Sequence, residues 1–284
     1  MPNNEIEQHP YLNYLQVNEK DIRQNNIYKN IIEFKNIIIG TFPVYGCTDT
    51  IDSIGNIIES RNTENMRFFY GSKRSDFWLL FSQVFLTNIP STPIEAITAL
   101  NNNNFLISDV IRKTKRKGKS ASDKDLLPVE LNTDLIKFFK CHENLKNIYF
   151  TSTEENGNSP YSLFKTIFNI SNEQEFNRFE IDSRLWSLNL IIDEREFNVF
   201  FLPTPKTRGI HFNDHNKLRM FVNYLNSVDN SFYQGICNIR KNQRTNLQED
   251  KLTIYRKDFL LECYKQSLKE CNLKFNGSIN CAVK

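Results

Sequence analysis

Ile37-Ile38-Ile39-Gly40-Thr41-Phe42-Pro43 sets a β-branched run directly against a glycine and then a proline. Branching at Cβ restricts χ1 and favours a strand, and an unbroken apolar run suits a strand covered on both faces. Gly40 and Pro43 then end it in a turn. A similar junction recurs in Val199-Phe200-Phe201-Leu202-Pro203-Thr204-Pro205-Lys206. An aromatic version, Phe69-Tyr70-Gly71-Ser72-Lys73-Arg74-Ser75-Asp76-Phe77-Trp78, lies between them. In α/β sheets such strand ends carry the ligand-binding loops.

Working outward, the sheet is expected to begin at Phe34. Ser75 or Asp76 is placed to cap a helix whose apolar stripe runs from Phe77 through Val84 and Phe85. Phe105 to Ile111 reads as a further strand. Asn132-Thr133-Asp134 caps a helix leading to the strand Ile148-Tyr149-Phe150, and a polar loop and a helix from Tyr161 to Phe168 follow. Strands alternating with helices predict a three-layer α/β/α domain with a mainly parallel central sheet over residues 31–228. Residues 1–30 read as a polar N-terminal arm with some helix, since Tyr11, Leu12, Tyr14 and Leu15 recur at helical spacing. Residues 229–284 read as a helical C-terminal extension, with an amphipathic stretch from Asp258 to Leu268.

A chain of 284 residues with 39% apolar content has enough material for one full α/β core plus an appendage. Residues 1–30 hold no apolar run and no later segment reaches spanning length, so neither a signal peptide nor a membrane helix is expected, and the protein is read as cytoplasmic. Cysteines at 47, 141, 237, 263, 271 and 281 form no close pair, which argues for free thiols over a zinc or iron–sulfur site. The net charge of +3 does not by itself indicate nucleic acid. Lys113 to Lys119, however, concentrates positive charge in a segment expected to be a solvated loop, where Lys115 and Arg116 would meet phosphates.

Taken in order, four segments resemble the uracil-DNA glycosylase superfamily, in particular the branch related to mismatch-specific uracil and hypoxanthine glycosylases. They are the Gly40 to Pro43 turn, the Phe69 to Trp78 segment, Asp109-Val110-Ile111 with Arg116 and Gly118 following, and Leu202 to Pro205. The resemblance covers roughly residues 34 to 225. It implies a monofunctional DNA N-glycosylase that flips a uracil, a hypoxanthine or a modified phage base and leaves an abasic site, in repair or in antiviral defence. It implies DNA as partner, a monomer, and neither cofactor nor metal. The chain departs from the family pattern at Phe42 and Ser75, where many members carry the Asp or Asn that positions water. A catalytically weak DNA-binding module of the same fold, or an enzyme acting on free nucleosides, are the alternatives.

Opening an N-glycosidic bond in DNA requires the nucleotide to leave the stack, which costs a few kcal/mol, and to be held in a snug pocket. The resemblance assigns the aromatic platform to Phe69 or Tyr70 and base contacts to Gly40, Thr41, Phe42 and Pro43. Asn156 matches a residue at the pocket edge in relatives. A carboxylate near C1′ stabilises the oxocarbenium-like transition state. Asp76, Asp109 and the weaker Ser75 are the candidates, with Asp76 slightly preferred. Thr204, Lys206 and Arg208 match the loop that grips the DNA backbone, and Arg208 or Ile210 would fill the vacated space. His211 and His215 share a helical spacing but have no third ligand, so they are read as surface histidines.

Overall fold

The computed structural model describes residues 5–12, 34–64, 66–120, 122–155, 157–181, 184–206, 219–237, 239 and 243–269. The isoleucine run forms strand β2 (Asn36–Gly40), with all three isoleucines fully buried. Two parallel neighbours flank it, β5 (Phe105–Asp109) on one side and β8 (Asn147–Phe150) on the other. Beyond β8 lies β11 (Arg195–Phe201), also parallel. The sheet continues antiparallel through β10 (Arg184–Ile192) to the edge strand β9 (Glu175–Ile181), in the order β5-β2-β8-β11-β10-β9.

Alternation along these strands divides the core. Ile38, Ile107, Tyr149 and Phe200 pack with the helices α1 (Phe77–Phe85), α2 (Pro93–Asn102), α5 (Arg219–Val228) and α7 (Asn246–Leu268). Ile37, Ile39, Leu106, Ile148 and Phe150 pack with α3 (Asp134–Cys141) and α4 (Pro160–Phe168). Burying each such side chain stabilises the fold by about 1.5–3 kcal/mol, so both sheet faces contribute strongly. Local chemistry sets the helix starts. The Thr92 hydroxyl accepts from the Glu95 amide with Pro93 in the first turn, and Ser159 does the same for Ser162 ahead of α4. At α1 the N-cap Asp76 makes no side-chain cap bond, and the Ser75 hydroxyl accepts from the Phe77 amide instead.

A second sheet, fully antiparallel, was not expected from the sequence. Its order is β4-β3-β1-β6-β7, built from β1 (Ile6–Gln8), β3 (Asp49–Ile51), β4 (Ile57–Ser60), β6 (Ile111–Arg116) and β7 (Leu126–Leu131). Two expectations are corrected here. Residues 6–8 of the expected polar arm form a central strand of this sheet, because β3 and β6 pair with both edges of their backbone. Tyr14 and Leu15 lie outside the described residues. The basic run is also no loop: Lys113 to Arg116 belongs to β6, paired with β7, with Lys113 bound to Glu130. Asp109 ends one sheet and Ile111 begins the other, with the Val110 amide tied to the Gly40 carbonyl at the joint.

Helix α6 (Asn230–Ile236) and α7 share one apolar cluster with α1, through Ile236, Leu252, Phe259, Leu260, Cys263 and Tyr264. The Tyr264 hydroxyl donates to the Pro203 carbonyl at 3.1 Å, so this helical segment braces the late loop. Among the described residues no helix is long and apolar enough to cross a membrane.

Candidate active site

The four parallel strands end on one side, and their ends meet. From β2 the chain moves to β5 on one flank and then to β8 on the other, and a reversal of this kind leaves a crevice beyond the carboxyl ends of the strands. A cavity of about 150 Å³ occupies that place. Thr41 to Val44 line it after β2, Asp109 at the end of β5, Thr151 after β8, and Thr204 to Lys206 after β11. Phe68, Tyr70, Gly71, Ser72, Arg74 and Ser75 close the remaining side. An apolar cavity of about this size holds a single benzene ring, well below the several hundred Å³ of a drug-sized site.

Two carboxylates face into it. Asp109 is 4% exposed, and its Oδ2 accepts from Nε2 of the equally buried His9 at 2.9 Å. The Tyr11 amide donates to the other His9 nitrogen, Nδ1, at 3.1 Å, which fixes the neutral tautomer with its proton on Nε2. Burial lowers the His9 pKa below its ordinary value, a shift the Asp109 bond and charge oppose and Arg112 reinforces. Phe69, Tyr11 and Phe42 surround the imidazole at 5.1, 5.6 and 5.7 Å between ring centroids. The second carboxylate, Asp123, accepts the Thr41 hydroxyl at 2.9 Å. Burial pushes it up to about 6, with the Thr41 bond opposing and the Asp109 charge adding to the rise.

Tyr70 sits in the left-handed region at φ 54°, an uncommon state for a non-glycine residue and a form of strain that clusters at functional sites. The neighbouring Gly71 permits this turn: a Cβ there would lie 1.9 Å from the Met66 carbonyl oxygen. The Tyr70 ring stacks on Phe77 at 4.5 Å, and its hydroxyl shares a 2.7 Å bond with the Thr151 hydroxyl. Burial pushes its pKa up, so it remains a phenol. Gly40 lies beneath, where a Cβ would come within 2.2 Å of the Tyr70 hydroxyl and 2.3 Å of Asp109 Oδ1. Burial also pushes the Cys47 thiol in the wall up to about 11, which removes it as a nucleophile at neutral pH.

The cavity gathers Thr41, Phe42, Pro43, Tyr70, Ser75, Asp109, Thr204 and Lys206 from the expected set, and Gly40 packs under its floor. Phe69 is not in the wall; it is core, 1% exposed, with its carbonyl accepting from the Trp78 indole. Asp76 does not line the cavity either: its amide donates to the Pro205 carbonyl, and Ser75 takes the wall position. Arg116 is corrected from phosphate contact to buried clamp. Only 2% exposed, it grips Glu7 at 3.1 and 3.2 Å and donates to the Pro43 carbonyl at 2.7 Å, holding the loop after β2. Lys115 lies on β6 outside the wall, and the rim cations are instead Lys206 and the exposed Arg74. Asn156, Arg208, Ile210, His211 and His215 lie outside the described residues.

Sequence reasoning passed over His9, Asp123, Thr151 and Phe68. Asp123 and Thr151 sit in polar stretches without a motif, and His9 is 100 residues from its partner. A tyrosine and a second phenylalanine beside the Gly71 turn were the only local hint that residue 68 also belongs to the wall. The chain matches no protein-family model, and no significant match to it was found among curated proteins or solved structures.

Proposed function

We propose that the chain is a DNA N-glycosylase on a three-layer α/β/α scaffold of the uracil-DNA glycosylase type. Support for the scaffold is the run of four parallel strands with helices against both faces. One observation carries the function: segments as distant as Pro43, Tyr70, Asp109 and Thr204 converge on a single ring-sized slot walled by aromatic side chains. A slot this small with cations at its mouth suits one extruded base with its phosphates outside, where Lys206 and Arg74 would meet them.

In this reading the flipped base lies against Phe42 and Tyr70, and Asp109 stands at the sugar. As the C1′–N bond breaks, its electron pair leaves with the base and positive charge builds on the sugar, which the Asp109 carboxylate stabilises. The oxygen of water bonds to C1′, one of its protons passes to Asp109 and from there to solvent, and the departing ring nitrogen takes up a proton from solvent. The products are an abasic site and the free base. His9 is a positioning residue, holding one carboxylate oxygen so that the other faces the cavity. Phe42 and Ser75, where family members place water-orienting residues, leave that task to Asp109.

The test is to incubate the full chain with duplexes carrying one uracil, hypoxanthine or 5-hydroxymethylcytosine, and then to treat with alkali. Strand breaks at the marked position are expected on at least one duplex. Binding without breaks on all of them would select the DNA-binding module, and turnover of free nucleosides alone would select the nucleoside enzyme.

A further inference from the structure

At its buried end the slot offers more acceptors than donors, whereas the donors Ser75, Thr204, Arg74 and Lys206 are the less buried part of its wall. Asp109 and Asp123 are both acceptors when ionised. Thr41 spends its proton on Asp123, so its oxygen too faces the cavity only as an acceptor. The Tyr70 and Thr151 hydroxyls are bound to each other, which leaves one proton of the pair to donate. An oxo base such as uracil would set a carbonyl against this wall. An amino-bearing ring does the reverse, since its exocyclic N–H groups donate to carboxylate, the pairing by which Asp and Glu recognise cytosine N4.

We infer that the slot takes an amino-bearing pyrimidine, cytosine or a 5-substituted cytosine, in preference to its oxo isostere uracil, with Asp123 as the acceptor for the exocyclic amino group. The inference rests on the nucleobase reading above. Cavity size points to one ring rather than two, and exchanging an amino group for a carbonyl leaves size unchanged, so hydrogen-bond polarity alone separates the two ligands. A good paired contact of this kind discriminates by about 1–3 kcal/mol, which is roughly 5- to 150-fold. Burial, with Asp109 close by, pushes the Asp123 carboxyl up to about 6 despite the Thr41 bond, so at neutral pH it is mostly ionised and able to accept.

The experiment is calorimetric titration of the full chain at pH 7.5, in parallel with cytosine and with uracil, on the native sequence and on Asp123→Asn. Cytosine is expected to bind about 10- to 100-fold more tightly. In Asp123→Asn the amide supplies an N–H donor, and the ratio should move toward uracil by at least tenfold. Uracil binding as tightly as cytosine, or binding of neither base, overturns the inference. So does a folded Asp123→Asn variant with an unchanged ratio, and should that variant not fold, the ratio in the native chain decides. Duplexes carrying 5-hydroxymethylcytosine or uracil separate this from the catalytic reading. Breaks at uracil alone would keep the glycosylase and sink the inference, whereas cytosine binding without breaks on any duplex would keep the inference and sink the glycosylase.

Discussion

At the scale of single residues, the site depends on atoms packed closer than a methyl group allows. Gly40→Ala would place Cβ 2.2 Å from the Tyr70 hydroxyl and 2.3 Å from Asp109 Oδ1, so one of them must move. Overpacking of this sort costs about 1–3 kcal/mol, to be seen in urea unfolding, and base binding should weaken with it. His9 gives a prediction in pH. Its folded pKa lies below the ordinary value near 6.5, so the folded state binds fewer protons than the unfolded chain in the window beneath that value. Stability is therefore full above about pH 6.5 and declines as pH falls below it. Asp123, raised to about 6, acts oppositely: between about pH 4 and 6 its folded form binds more protons, and stability rises as pH falls. Unfolding midpoints measured from pH 8 to 5 should fall less steeply in His9→Gln than in the native chain, with Asp109 and Arg112 the charged groups facing the imidazole. Parallel curves would contradict the assignment. Gly40, Thr41 and Pro43 were legible because a glycine and a proline mark that strand end, and Asp109 because it closes the apolar strand β5; Tyr70 was legible from its place before Gly71, although the strand expected there is a run of turns. His9 was not, since a histidine beside a three-residue strand has no local signature and gains its role only from a partner 100 positions away.

At the scale of elements, the basic run shows how pairing overrides composition. Lys113-Thr114-Lys115-Arg116 has the charge of a solvated loop, yet β1 on one side and β7 on the other make it a strand with Thr114 and Arg116 inward. Arg116 then becomes the tie between the N-terminal strand and the loop after β2. Arg116→Ala leaves Glu7, 3% exposed, buried without its cation, and should destabilise the fold by about 3–5 kcal/mol in urea titration. Arg116→Leu combined with Glu7→Leu should recover most of that loss, because two apolar groups need no partner. If the single variant unfolds like the native chain, the clamp is not structural. The hairpin β9–β10 also escaped the sequence reading. Its outer strand, Glu175 to Ile181, sets two polar residues, Asn177 and Arg178, between Phe176 and Phe179, and this break in the alternation hid it in the sequence.

At the scale of the whole molecule, the alternation of apolar strands and capped helices was enough to place an α/β core, because burial on both faces leaves unbroken apolar runs. The antiparallel second sheet was hidden, since its strands are short and its central strand β1 pairs only with partners distant in sequence. The long C-terminal helix reads as an appendage only until its apolar residues are seen to share a core with α1. For DNA, the expected interface is the rim of the slot. Lys206→Ala and Arg74→Ala should each weaken binding about equally across sequences and lower the slope of log affinity against log salt by roughly 1, measured by fluorescence anisotropy at several salt concentrations. The central claim, that converging strand ends form a base-cleaving slot, is tested most directly by alkali-induced strand breakage on a duplex with a single target base, comparing the native chain with Asp109→Asn. Breaks at the target that fall about 100-fold or more in the variant, while DNA affinity holds, are the predicted result; breaks at the same rate in both proteins would contradict it.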